Sequence, residues 1–245
     1  MLSLFTILRT GPLRAGLNPG EVALTFDDGP NLEGNVTPDL LSVLRQNSVK
    51  AGFCVVGQQV RRHPDVVRRM YRAGHLLINH TEHHDHPVRQ NLATLTAEVD
   101  SCDRAIGAAL GRSDYHSAYF RAPFGIVTIA VRRLIRLRGM QPVLLSHYGW
   151  DTRVGPHNYG PVVDRIIENA RRYRGGMYVF HDGSLCPPKI SEKDWSRSVE
   201  NRSWVPEAVA RVITELKAEG LRFVIPGRNP VTEDSCGPSP QSRAA

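Results

Sequence analysis

The stretch Val22-Ala23-Leu24-Thr25-Phe26-Asp27-Asp28-Gly29-Pro30 joins an apolar run of strand length to two adjacent carboxylates and a Gly-Pro turn. An apolar run without polar alternation fits a strand covered on both faces, as in a parallel sheet or barrel. Four further elements end in polar residues suited to hydrolysis: Asn79-His80 with His84, Arg121-Ala122-Pro123-Phe124-Gly125, Trp150-Asp151, and Phe180-His181-Asp182. Parallel strands gather whatever lies at their carboxyl ends into one mouth. Two Asp, an Arg and two or three His are therefore expected to meet there.

Working outward, runs at residues 22–26, 51–56, 76–78, 118–120, 142–145, 177–180 and 221–225 have strand length and no helical period, which predicts seven strands. Helix signals lie between them: Thr37-Pro38 as cap and first turn, Pro64 before Val66, Val67 and Met70, and Thr96 with Val99 and Ile106. The last helix has Val209, Val212, Ile213 and Leu216 on one face and Gly220 at its end. Six strand–helix alternations predict an α/β fold with right-handed crossovers. Polar residues at the ends of five strands favour a distorted (β/α)7-type barrel, because an open sheet places its site at one switch point. The irregular stretch 183–204 follows His181 and is expected to form a loop over the mouth.

The 245 residues fit one domain, read as 19–228, preceded by an extension over 1–18 and followed by a Pro/Ser/Gly-rich tail over 229–245 expected to be disordered. No signal-peptide pattern is recognised, which favours the cytoplasm, and no run is long enough to span a membrane. Cys54, Cys102, Cys186 and Cys236 have neither zinc spacing nor disulfide density, and Cys54 reads as a buried thiol. The net charge of +7 comes from 27 Arg and 4 Lys spread over most predicted helices. That spread, without a binding motif, argues against a nucleic-acid partner and leaves an anionic substrate open.

Asp27-Asp28 carries the sharpest chemistry, since adjacent carboxylates after a buried strand repel each other unless a cation shares them. With Asp28 as ligand, Asp27 stands ready as the base for a water activated by that ion. His80 and His84 are four apart, which puts both rings on one face of a helical turn and favours His84 over His83 or His86. Asp28, His80 and His84 suit zinc, and cobalt, nickel or manganese also fit. Arg121 can hold Asp27 ionised, the Phe124 N–H can face an oxyanion, and His181 can protonate a leaving amine. Taken singly, each has a bland reading: a solvated turn, a His-rich loop, a surface Arg, a structural His.

Together and in this order, these elements resemble the five motifs of the NodB-type polysaccharide deacetylases, carbohydrate esterase family four, over residues 21–226. The resemblance implies a distorted barrel, a zinc-like metal and removal of acetyl from N-acetylated sugars such as chitin oligosaccharides or peptidoglycan. It implies Asp27 as base, Asp28, His80 and His84 as ligands, Arg121 orienting Asp27, the Phe124 amide in the oxyanion hole and His181 as acid. Two places depart from the family pattern. Val154-Gly155 stand where an Asp-Trp pair usually orients the catalytic His, so Asp151 or Asp182 must substitute, and Asp151 is expected to. Asp85 and His86 separate His84 from Pro87, where Pro usually follows directly. The alternatives are hydrolysis of a small amide, imide or O-acetyl ester, and a barrel that binds sugar without turnover.

Overall fold

The computed structural model describes residues 16–184 and 192–227. The expected extension lies outside them up to Ala15, as do the expected tail, Cys186, Cys236 and residues 185–191 of the expected mouth loop. All seven strands form: β1 (Glu21–Asp27), β2 (Gly52–Val55), β3 (Leu76–Asn79), β4 (Tyr119–Phe120), β5 (Gln141–Pro142), β6 (Gly176–His181) and β7 (Arg222–Phe223). They make one parallel sheet in the order β5-β4-β3-β2-β1-β6. β7 pairs with the base of β1 at Glu21 and Val22. Because β6 already occupies one edge of β1 from Val22 to Asp27, β7 must lie on the other, below β2.

Beyond β5 the chain swings back to β6, where the Ser146 N–H donates to the Met177 carbonyl at 2.9 Å and His147 forms a lone parallel bridge with Tyr178. That seam bends the sheet into a distorted half-barrel. Around it lie the helices α1 (Val36–Gln46), α2 (Gly57–Arg62), α3 (Pro64–Arg72), α4 (Leu92–Leu110), α5 (Ile129–Arg138), α6 (Gly160–Tyr173), α7 (Glu192–Trp195) and α8 (Val205–Ala218), with short 3-10 turns at Glu33–Asn35, Pro87–Arg89, Pro123–Gly125 and Asp151–Arg153. No described helix is long and apolar enough to cross a membrane.

Side-chain parity explains how an apolar strand delivers polar chemistry. Val22, Leu24 and Phe26 of β1, with Phe53, Tyr178 and Phe180, pack against the helices in the main core. The alternate residues Ala23, Cys54, Ile78 and Met177 form a small cluster inside the barrel. Continuing that inward parity along each strand reaches Thr25 and Asp27 on β1, His80 just past β3, Arg121 just past β4 and His181 on β6. Asp27 lies in register with Cys54 on one side and His181 on the other.

Two helix starts differ from expectation. α4 begins at Leu92, where the Asn91 side chain caps the Thr94 N–H at 2.9 Å, and Thr96 lies inside, its hydroxyl bonded back to the Leu92 carbonyl at 2.7 Å. Thr37 is likewise inside α1, and its hydroxyl donates to Asp182 Oδ2 at 2.5 Å instead of capping. In both cases a Ser/Thr-type hydroxyl has a competing partner that sequence does not display.

Candidate active site

Asp27 ends β1 deep in the mouth, and Arg121 crosses the barrel interior to meet it. The guanidinium donates to Asp27 Oδ1 at 2.6 Å, to Thr25 Oγ1 at 2.8 Å and to the Val143 carbonyl at 3.2 Å. Arg121 is 3% exposed, so its charge needs these partners. Burial works to raise the Asp27 pKa, but Arg121, then His80 and His181, hold it below the usual carboxylate value.

Asp28 follows with a left-handed backbone, φ +72°, and both carboxylates approach His80 Nε2, Asp27 Oδ2 at 4.0 Å and Asp28 Oδ1 at 3.4 Å. Its Oδ1 is buried without a hydrogen-bond partner, yet lies 3.4 Å from His80 Nε2 and 3.3 Å from His84 Nε2. Ligand atoms of the three residues all fall within 4.8 Å of one another. The His80 Nδ1 contacts the Arg121 carbonyl at 2.8 Å; since a carbonyl only accepts, Nδ1 donates there and Nε2 is the ring atom that faces Asp28. Burial depresses the His84 pKa to about 4, so that ring is neutral at ordinary pH. An orphaned buried carboxylate oxygen facing two imidazole nitrogens is a donor set that fits a divalent cation.

The expected helical turn across His80 and His84 is absent. Residues 80–84 form a loop in which Thr81 (φ +69°) and His84 (φ +58°) are left-handed, and this bend brings the ring centroids to 4.8 Å. The loop is anchored below by Asn79, which is fully buried. Its amide donates to the Val99 carbonyl and Asp103 Oδ1, both at 2.9 Å, while its carbonyl accepts the Thr81 N–H at 2.9 Å. Glu82 adds an ion pair to Arg61 at 3.1 Å. His83 points elsewhere, to Glu98 at 2.8 Å. His86 stacks beside Phe124 at 5.0 Å, and Phe124 covers His84 at 4.6 Å. Phe124 is 57% exposed and left-handed, φ +58°.

Opposite this loop, Asp151 Oδ1 lies 3.0 Å from His181 Nδ1, and Asp151 Oδ2 accepts the His181 backbone N–H at 2.6 Å. Burial lowers the His181 pKa, but the adjacent Asp151 carboxylate overcomes it and raises the value to about 9. Asp182 does not face the ring: it takes the Thr37 hydroxyl, and burial raises its pKa to about 7. A Cβ at Gly29 would stand 2.5 Å from its Oδ2, so only glycine admits this approach. Val154 packs against the main core, and a Cβ at Gly155 would stand 2.6 Å from the Ser198 carbonyl.

Sequence reasoning missed the supports of this site. Asn79 was visible beside His80 but showed no sign of its amide network. Arg202, 4% exposed, donates to the Asp151 carbonyl at 3.0 Å from a distant segment with no motif around it. Among the described residues, eight non-glycine positions have positive φ, and five of them (Asp28, Thr81, His84, Phe124 and Trp150) surround the mouth. Backbone strain is thus concentrated where side chains must be aimed.

Known proteins share this arrangement of strands. A family model described as polysaccharide deacetylase matches residues 15–143. A chitooligosaccharide deacetylase of a Bradyrhizobium species is 35% identical over 204 residues, covering 82% of this chain and 87% of that protein. A peptidoglycan-N-acetylglucosamine deacetylase of Bacillus cereus is 28% identical over 214 residues, covering 83% and 84%. Among solved structures, a family 4 carbohydrate esterase from Streptomyces lividans in complex with acetate superposes with a TM-score of 0.63 at 25% identity, covering 84% of this chain and 91% of that one. The half-barrel, its polar mouth and these matches together make the chain a member of the polysaccharide deacetylase family of hydrolases.

Proposed function

We propose that this protein hydrolyses the N-acetyl group of an N-acetylated glycan, of the chitooligosaccharide or peptidoglycan kind named for its relatives. The observation that carries the reading is the orphaned Asp28 Oδ1 between two imidazole nitrogens, set beside the Asp27–Arg121 pair and across from His181–Asp151. Asp28, His80 and His84 would hold one divalent ion, with zinc the best match to two imidazoles and a carboxylate. When bound, such an ion supplies Lewis acidity to the amide carbonyl.

The chain's own residues do the rest. Asp27, kept ionised by Arg121, takes a proton from the attacking water as its oxygen bonds to the acetyl carbon. The Phe124 N–H stabilises the negative charge on the former carbonyl oxygen. His181, held by Asp151, gives its proton to the nitrogen as the C–N bond breaks, and acetate and a free amine leave. Acetate release should be measured on N-acetylglucosamine oligomers, peptidoglycan, acetylxylan and small cyclic amides, before and after chelation. Release from N-acetylated glycans that stops on chelation and returns with zinc or cobalt is expected. Turnover confined to acetylxylan or cyclic amides, or undiminished in metal-free protein, would sink the reading.

A further inference from the structure

The turn after β5 presents an arginine that the reaction above does not use. Trp150 sits in the left-handed region, φ +65°, and leaves its indole 40% exposed. The Arg153 guanidinium carbon lies 4.1 Å from the indole centroid. On the other side Trp150 meets Tyr148 edge-on at 5.1 Å, and Tyr148 meets the His181 ring at 6.1 Å. Three ring contacts thus lead outward from the proposed acid to an exposed cation. The turn is braced from beneath, because Arg202 donates to the Asp151 carbonyl at 3.0 Å and Arg165 to the Gly149 carbonyl at 3.4 Å.

The Arg153 backbone N–H donates to the Trp150 carbonyl at 3.0 Å, but its guanidinium makes no hydrogen bond and no ion pair among the described residues. Some surface arginines face acids, as Arg138 does Asp100 and Arg211 does Asp164, while Arg112 and Arg172 lie over tyrosine rings at 5.9 and 5.5 Å. Arg153 has the shortest such ring contact among the described residues and, unlike those two, stands on a ring joined by ring contacts to His181. The nearest carboxylate in sequence, Asp151, is committed to His181. With its guanidinium carbon 4.1 Å over the indole, Arg153 is seated on Trp150 while its N–H groups suit a planar, two-oxygen acceptor. Bidentate recognition of that kind suits a carboxylate.

We propose that Arg153, held on Trp150, is a subsite for a carboxylate carried by the glycan, either on a lactyl ether or on a uronic acid. The inference deepens the deacetylase reading and rests on it. It makes Arg153 a specificity-determining residue: a neutral glycan places nothing against the guanidinium, and an acidic one gains a charge-assisted contact three ring contacts out from His181.

Acetate release by the zinc-loaded enzyme should be compared on a neutral N-acetylglucosamine oligomer, an alternating oligomer with N-acetylmuramic acid, the same oligomer with its carboxylates amidated, and a uronate-containing N-acetylated glycan. In Arg153→Gln, kcat/KM is expected to fall roughly tenfold further on the carboxylate glycans than on the neutral or amidated ones, the scale of one charge-assisted hydrogen bond. The loss should fall on KM, with Arg153→Lys in between and the wild-type preference weakening as salt rises. The lactyl and uronate glycans separate the two carboxylate sources. Equal losses on neutral and carboxylate glycans would overturn the subsite while leaving deacetylation intact. Calorimetric binding of the same glycans to zinc-loaded Asp27→Asn, with and without Arg153→Gln, reads the subsite without turnover. Carboxylate-selective weakening there, with no acetate released by the parent enzyme from any N-acetylated glycan, would overturn the deacetylase reading and keep the subsite.

Discussion

Asp27 and Arg121 hold each other across the barrel at 2.6 Å, and neither could be left there alone. Asp27→Asn keeps the shape but removes both the proposed proton acceptor and the counter-charge to Arg121. Turnover should fall by about 10² or more, with zinc affinity, read by competition with a chromophoric chelator, close to wild type. Near-native turnover would place the base elsewhere. His181 offers a pH test. Its pKa stands near 9 because Asp151 outweighs the opposing effect of burial. The acid must be protonated to act, so activity should decline as pH rises through that value. In Asp151→Asn the imidazolium is less stabilised, its pKa drops, and the alkaline limb of kcat/KM should move to lower pH. An unmoved limb would mean that another group gives the proton.

At the scale of elements, the loop after β3 shows what the sequence could and could not tell. The strands were legible because a buried parallel strand is a continuous apolar run, and each of the seven runs contains or overlaps an observed strand. His80 and His84 were picked by a helical spacing, yet it is a left-handed loop that brings both rings to Asp28, a geometry the spacing argument did not contain. Asp151 was expected at the end of the fifth strand, yet β5 stops at Pro142 and Asp151 reaches His181 from the 3-10 turn Asp151–Arg153, and Thr37 misled because a hydroxyl that suits a cap also suits other acceptors. The Asn79 anchor was illegible because its partners, Val99 and Asp103, lie about twenty residues on. It is also testable. Asn79→Ala frees the loop and strips one buried partner from Asp103, which should cost about 1–3 kcal/mol of stability. Zinc affinity should fall roughly tenfold, the lower end of what ligand-supporting contacts contribute. A variant equally destabilised but with unaltered zinc affinity would show that the loop holds its own shape.

Across the whole molecule, one face of every long strand feeds the helix-packed core and the other feeds the mouth, so stability and chemistry share β1 and β6. The ring they belong to is unevenly sewn. β1 and β6 pair along six residues, whereas the return to β6 after β5 pairs its backbone through the Ser146–Met177 contacts and a bridge at His147, with the Asp151 carboxylate tying in further on at His181. In the language of local opening, that seam is the low-free-energy exit from the native state, and its amides should exchange with solvent well before those of Leu24 to Asp27. The Arg121 guanidinium leans on the Val143 and Leu144 carbonyls on the loose side of this seam. Parting it would unsettle the proposed base's counter-charge while the core stayed folded. Heating should therefore extinguish turnover several degrees before far-ultraviolet circular dichroism reports melting, and a disulfide stitched across the seam should draw the two transitions together.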